Sequence, residues 1–199
     1  MTLDRLRPLA ERALGPWVRL AAWAGLSPDG VSIIGFTMAI VAAGGFLVAS
    51  PWGYAIAAAA VFLNGWFDLV DGGLARVQGS AAAEGDLLDH VLDRYADLII
   101  IGTIAAGIDA YAVGLFAVTG VLMTSYMGTQ IQAVGLGRAY GGLVGRADRL
   151  ALVVAASSLV AIGLTSIGGV ELLWGLLALF GIIGHLTALQ RFVDAWRRL

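Results

Sequence analysis

Residues 68–93 read DLVDGGLARVQGSAAAEGDLLDHVLD, and this stretch decides how the rest of the chain is interpreted. Strongly apolar segments flank it at residues 54–67 and 98–108. Its aspartates, spaced as on helices, therefore lie against sequence that is typical of a membrane. Burying an ionised carboxylate in hydrocarbon costs several kcal/mol or more. A group of them is tolerable only beside a positive charge, and a divalent cation is the simplest candidate.

Composition indicates a membrane protein. Of the 199 residues, 59% are hydrophobic and 13% are charged, whereas a soluble domain is roughly 25% charged. The sequence therefore predicts an integral membrane protein that forms a single domain over residues 1–199, with no nucleic-acid partner. Because cysteine is absent, a disulfide framework and thiol chemistry are excluded.

The opening of the chain predicts an amphipathic helix at the membrane surface. In residues 1–26, apolar side chains recur every three or four positions and arginines fall mostly between them, as in helices that lie in the interface. Ser27 and Pro28 then predict the N-cap and the first residue of the next helix.

Six apolar segments follow in residues 27–199, and each predicts a helix that crosses the membrane. The predicted spans are residues 31–49, 54–76, 86–108, 111–134, 149–166 and 171–190. Residues 50–53 are predicted to form a turn. The expected fold class is an all-α integral membrane protein, with six transmembrane helices and one N-terminal juxtamembrane helix.

The arginines predict the orientation of these spans. All twelve basic residues are arginine. They lie in the opening helix, in the loops after the second and fourth spans and in the tail, apart from Arg94, which is next to Asp93. The positive-inside rule then predicts a multi-pass protein of the cell membrane, with both termini and residues 68–93 on the cytoplasmic side.

The aspartates of residues 68–93 are spaced to form a metal site. Positions three and four apart share one face of a helix, so each of the two predicted helices presents a pair of carboxylates. Two such faces together suit one or two hard divalent cations, with Mg²⁺ as the default and Mn²⁺ as the alternative. The four predicted ligands are Asp68, Asp71, Asp89 and Asp93.

Small residues and one arginine accompany these aspartates. Gly72, Ala75 and Gly85 lack bulk, so a flat or phosphorylated ligand can approach the backbone closely. The guanidinium of Arg76 supplies a fork that suits phosphate. The stretch therefore combines a cation site with a place for a phosphorylated ligand.

The pattern Asp-x2-Asp-Gly-x2-Ala-Arg-x8-Gly-x3-Asp-x3-Asp resembles the signature of the CDP-alcohol phosphotransferase family. The resemblance implies that the hydroxyl of a small alcohol attacks the β-phosphorus of a CDP-linked lipid and that CMP leaves. It implies metal ligation by Asp68, Asp71 and Asp89, with Asp93 as a further ligand or the general base. It also implies a homodimer and a CDP pocket, lined by Gly72, Ala75, Arg76 and Gly85.

Four arginines outside the signature are candidates for binding an acidic acceptor: Arg138, Arg146, Arg149 and Arg191. Residues 145–149 and 189–191 resemble family members that make inositol-phosphate lipids. Those members carry basic residues soon after a Ser-Tyr pair, where this chain has Gly128 and Gln130. Inositol phosphate and glycerol phosphate both stay open as acceptors, and so does membrane anchoring by these arginines.

A cation channel or carrier that uses the aspartates as an ion site is the alternative function. Transport sites usually lie near the bilayer midplane between structural repeats, but these aspartates lie at one end of the predicted bundle and no repeat is visible. Asp97 lies one turn deeper than Asp93, and we expect it to hydrogen-bond within the bundle, with tuning of Asp93 as the alternative.

Overall fold

The structure, a computed structural model, describes residues 7–79, 83–137 and 144–199, with only the backbone of residues 7–12. The described chain is helical, apart from one short antiparallel hairpin. Its elements in order are α1 (Arg7–Trp23), α2 (Pro28–Val48), α3 (Pro51–Gln78), α4 (Ala83–Gly107), α5 (Tyr111–Ala133), α6 (Arg146–Ala161), β1 (Ser166–Ile167), β2 (Val170–Glu171) and α7 (Leu172–Trp196).

Two helices begin with the same Ser-Pro capping sequence. The hydroxyl of Ser27 accepts a hydrogen bond from the Gly30 amide at 3.1 Å, as predicted for the start of α2. Ser50 repeats this with the Gly53 amide, also at 3.1 Å. The predicted turn over residues 50–53 is therefore wrong, because a serine N-cap followed by proline starts a helix.

Helix α6 begins three residues before the predicted span. The Asp148 carboxylate accepts a hydrogen bond from the Gly145 amide at 3.0 Å, which satisfies one of the free donors at the helix start. As a result, Arg146 and Arg149 both belong to the first turn of α6. The predicted start at residue 149 overlooked this cap.

Four helices of the described chain are long and apolar enough to cross a membrane: α2, α3, α5 and α7. The two other predicted spans correspond to α4 and α6. Helix α4 carries charged residues along its first four turns, and α6 has 16 residues, about 24 Å at 1.5 Å per residue. The structure thus supports a membrane protein but does not by itself establish six spans.

Glycines allow the backbones of neighbouring helices to pack closely. A Cβ added to Gly45 of α2 would lie 2.5 Å from the Gly53 carbonyl oxygen of α3. A Cβ on Gly120 of α5 would lie 2.8 Å from the Gly181 carbonyl oxygen of α7. Small residues at such contacts are typical of membrane helices, since they let backbones come together.

Two long-range hydrogen bonds lie at one end of the bundle, one within each half of the chain. There the Gln78 side chain at the end of α3 donates to the Leu26 carbonyl at 3.1 Å, and Arg198 donates to the Leu136 carbonyl at 3.2 Å. Helix α1 packs on α3 at this end, where Val18 touches Gly73. The signature aspartates lie at the same end.

Candidate active site

Three signature carboxylates converge between α3 and α4. One oxygen each from Asp68, Asp89 and Asp93 lie within 4.8 Å of one another. We refer to these three residues as the acidic cluster. Oxygen atoms at such separations are the donor set that a hard divalent cation prefers, so the residues fit the predicted metal.

Asp71 is held differently from the other three aspartates. Its Oδ2 accepts a hydrogen bond from the Ser32 hydroxyl of α2 at 2.7 Å, and the residue is 7% exposed. It does not belong to the group of oxygens within 4.8 Å. It nevertheless lines the same cavity as Asp68, Asp89 and Asp93.

Arg146 enters the acidic cluster from α6. Its guanidinium lies 2.8 Å from an Asp68 oxygen and 2.8 Å from an Asp93 oxygen. It also donates to the side-chain carbonyl of Asn64 at 3.3 Å, while the Asn64 amide donates to the Gly35 carbonyl at 2.9 Å. Arg146, predicted as an acceptor ligand, therefore contacts the predicted metal ligands directly.

Asn64 is a site residue that the sequence reading missed. It is 3% exposed and lines the cavity of the acidic cluster. A polar side chain inside an apolar span is expensive unless it has a partner, and that signal could have identified it.

A wider groove of about 690 Å³ adjoins the acidic cluster, and we refer to it as the signature groove. Its wall shares Asp71, Asp89 and Ser32 with the cavity of the acidic cluster, so the two spaces adjoin at these residues. All four residues predicted to bind CDP line it: Gly72, Ala75, Arg76 and Gly85. Four further lining residues were not predicted from the sequence: Pro28, Asp29, Ser32 and Asp86.

A second space, the basic pocket, lies between α5, α6 and α7. Arg149 and Thr187 line it, and both are buried. Arg149 Nε and Thr187 Oγ1 have no hydrogen-bond partner among the described residues. Arg191 donates to the carbonyl of Thr124, another lining residue, at 2.6 Å. Arg138 lies outside the described residues.

A match to a family sequence model identifies the family of this chain. The sequence model for CDP-alcohol phosphatidyltransferases matches residues 26–188. The chain belongs to the CDP-alcohol phosphatidyltransferase family. It is an integral membrane transferase of phospholipid biosynthesis, so the predicted family and class of enzyme are confirmed. The channel or carrier alternative is not favoured.

Named members of the CDP-alcohol phosphatidyltransferase family align along nearly the whole chain. The archaetidylinositol phosphate synthase of Methanothermobacter thermautotrophicus is 30% identical over 99% of this chain and 95% of its own. The phosphatidylinositol phosphate synthase of Streptomyces avermitilis is 32% identical over 96% of this chain and 81% of its own.

Solved structures of a family member have the same fold. The phosphatidylinositol phosphate synthase of Mycobacterium tuberculosis with CDP-DAG bound has a TM-score of 0.77 and 25% identity, covering 93% of this chain and 94% of that one. A structure of the same enzyme with manganese and citrate also has a TM-score of 0.77. The family fold therefore extends across this chain.

Proposed function

We propose that this enzyme transfers a lipid-phosphate group from a CDP-linked lipid to the hydroxyl of inositol phosphate and releases CMP. The observation that carries the proposal is the wall that the cavity of the acidic cluster shares with the signature groove at Asp71, Asp89 and Ser32. A donor held in the groove has its diphosphate beside the carboxylates. The names of the relatives support inositol phosphate as the acceptor.

The signature groove is the proposed donor site. The groove stays open to a flat or phosphorylated group because its wall has small residues at Gly72, Ala75 and Gly85. At Gly85, for example, an added Cβ would lie 3.3 Å from an Asp29 oxygen. Arg76 brings a fork of donors that suits a phosphate. The related enzyme with CDP-DAG bound supports a CDP-lipid with a diacylglycerol tail, and the name of the archaetidylinositol phosphate synthase supports archaeol as the alternative tail.

The proposed cation ligands are the four signature aspartates: Asp68, Asp71, Asp89 and Asp93. They hold one or two divalent ions, Mg²⁺ or Mn²⁺, and the manganese complex of a related enzyme supports this. The ion supplies positive charge that offsets the diphosphate and the leaving CMP. Arg146 contributes a fixed positive charge beside Asp68 and Asp93.

Asp93 is the proposed general base, in addition to its place in the acidic cluster. The acceptor oxygen forms a bond to the β-phosphorus, the bond from that phosphorus to the oxygen of CMP breaks, and the acceptor proton passes to the Asp93 carboxylate. Arg146 and Arg94 approach Asp93 at 2.8 and 3.7 Å and orient it. A positioned base accelerates such a step by about 10²–10⁴-fold.

The basic pocket is the proposed acceptor site. Arg149 Nε and Thr187 Oγ1 are buried donors without a partner in the described part of the chain, and an acceptor phosphate would satisfy them. Arg191 contacts the pocket wall. A Cβ at Gly128 would lie 3.0 Å from Arg191 Nη1, so a side chain at this position would have to displace that guanidinium.

The proposed topology is one membrane domain with six spans, α2 to α7, behind an interfacial α1. The exposed Trp17, Leu20 and Trp23 of α1 suit the headgroup region. The arginine distribution supports a cytoplasmic location for both termini and the site. Assembly as a homodimer rests on the family resemblance alone.

The activity is tested with purified enzyme, a CDP-lipid donor and a panel of acceptors. We expect CMP release that depends on inositol phosphate and on a divalent cation, with the lipid product identified by mass spectrometry. Turnover with glycerol phosphate but not with inositol phosphate would replace the acceptor. Failure to release CMP with any acceptor would contradict the proposed function.

The topology is tested by cysteine labelling, because the chain has no cysteine of its own. A cysteine at Ser50 or Gly168 should react with an impermeant maleimide outside intact cells, and one at Gly79 should not. The reverse labelling pattern would place the site on the outer side.

A further inference from the structure

Asp97 is a buried anion that the proposed chemistry does not use. It lies on α4 one turn below Asp93 and is 4% exposed. An isolated carboxylate at such a position costs several kcal/mol, so its partners must be strong. Three arginine side chains supply them.

The partners of Asp97 come from two helices. Its Oδ2 accepts a hydrogen bond from Arg149 Nη2 at 2.8 Å and lies 3.2 Å from Arg94 Nη1. Its Oδ1 lies 3.9 Å from Arg146 Nε. Arg94 also donates to the Ser125 hydroxyl of α5. The carboxylate therefore ties α4 to the first turn of α6 and, through Arg94, to α5.

Two of the three partners, Arg146 and Arg149, belong to different parts of the site. Arg146 lies in the acidic cluster with Asp68 and Asp93, whereas Arg149 lines the basic pocket. Asp97 thus lies between the two regions and contacts one arginine of each. Arg146 already pairs with Asp68 and Asp93. Without Asp97, Arg149 would lose its carboxylate partner, and the remaining anions, of which Asp93 is the nearest along α4, would attract its guanidinium.

We propose that Asp97 is a positioning residue, which holds the Arg149 guanidinium at the basic pocket and away from the acidic cluster. It acts on the acceptor through Arg149 and does not contact the reacting atoms. The inference rests on the proposed function, since it takes the basic pocket as the acceptor site. Charged hydrogen bonds of this kind have directional geometry, so the position of the carboxylate matters as well as its charge.

The experiment compares Asp97→Asn and Asp97→Glu with the unaltered enzyme. We expect Asp97→Asn to raise the acceptor KM at least about tenfold, equivalent to about 1.4 kcal/mol, and to leave the donor KM within about twofold. Asp97→Glu keeps the charge but moves it by one methylene, and we expect an intermediate rise. Wild-type acceptor KM in both variants, or a lower KM in either, would overturn the positioning role.

A double variant tests whether the effect passes through Arg149. In an Arg149→Gln background, adding Asp97→Asn should change the acceptor KM by less than about twofold, because the group that it positions is already gone. The double variant also removes both charges of the pair and leaves neither of them unpaired. It can therefore be compared with Arg149→Gln even if Asp97→Asn alone fails to fold. Independent, additive effects would contradict the inference.

A binding measurement separates this inference from the proposed activity. Calorimetry with inorganic phosphate, without donor, should give a Kd at least about tenfold weaker for Asp97→Asn than for the unaltered enzyme. Asp109→Asn, in the exposed turn after α4, is the matched control and should bind phosphate normally. If the unaltered enzyme does not turn over inositol phosphate but Asp97→Asn still weakens phosphate binding as expected, only the proposed acceptor is rejected. If Asp97→Asn binds phosphate as tightly as the unaltered enzyme, the inference is rejected.

Discussion

The acidic cluster and the basic pocket lie in one bundle, but they are assembled in different ways. Every carboxylate of the acidic cluster comes from residues 68–93, at the end of α3 and the start of α4. The lining of the basic pocket comes from α5, α6 and α7, whose contributing residues are far apart in the chain. A contiguous motif can therefore be recognised in the sequence, whereas the pocket appears only after folding.

Each region also contains one residue of the opposite charge. Arg146 lies among the carboxylates, and Asp97 pairs with Arg149 at the basic pocket. Both arginines belong to the first turn of α6. Movement of this turn would change both regions together, so variants that affect only one region test whether the two have separate roles.

The largest effect is expected for the proposed base. Asp93→Asn should lower kcat by about 10²–10⁴-fold and leave donor affinity within about tenfold, roughly 1.4 kcal/mol. The reason is that a base acts as charge shifts in the transition state. Single-turnover kinetics and donor binding would measure the two quantities.

Glu84→Gln, an exposed change in the first turn of the same helix, is the control for Asp93→Asn and should be nearly neutral. A variant of Asp93 that turns over normally but binds the donor poorly would make this residue a binding group and not a base.

Removing charge from the other members of the acidic cluster should have the next largest effect. Asp68→Asn and Asp89→Asn should each lower turnover at least about 10²-fold, because neutral amides cannot offset a divalent charge. Electron paramagnetic resonance should detect weaker Mn²⁺ binding, and excess cation should restore part of the activity. Near-normal turnover and Mn²⁺ affinity in both variants would remove these residues from the metal site.

The sequence predicted most of what depends on local pattern. The Ser27-Pro28 helix start and the apolar periodicity gave α2 and α5 nearly at their observed bounds. The spacing of Asp68, Asp89 and Asp93 predicted carboxylates that the structure brings together. These features need only neighbouring residues and the period of a helix.

Features that depend on distant contacts could not be predicted in the same way. The ion pairs of Arg146 with α3 and α4 require α6 to pack at the end of the bundle where the aspartates lie. The Asn64 bond to the Gly35 carbonyl joins α3 to α2, and the pairing of Asp97 with Arg149 spans 52 positions. Nothing in the local pattern indicates which arginine meets which carboxylate.

The basic pocket is expected to affect one substrate and spare the other. Arg149→Ala and Arg191→Ala should each raise the acceptor KM by about tenfold, with the donor KM nearly unchanged, because a phosphate loses a charged partner. Arg197→Ala, near the exposed end of the same helix as Arg191, is the matched control. Equal effects of all three on protein yield, with unchanged acceptor KM, would mean that these arginines anchor the protein in the membrane.

The smallest effect is expected where the acidic region meets α2. Ser32→Ala removes the hydroxyl that donates to Asp71 at 2.7 Å, and a typical hydrogen bond contributes about 1 kcal/mol. We therefore expect kcat/KM to fall about threefold to tenfold, because Asp71 keeps its charge and loses only its orientation. Thr37→Ala removes a hydroxyl that bonds within α2, and it should be neutral. In an Asp71→Asn background, Ser32→Ala should have no further effect. If it does, Ser32 acts on the donor in the signature groove and not through Asp71, and the distinction between Asp71 and the acidic cluster loses its support.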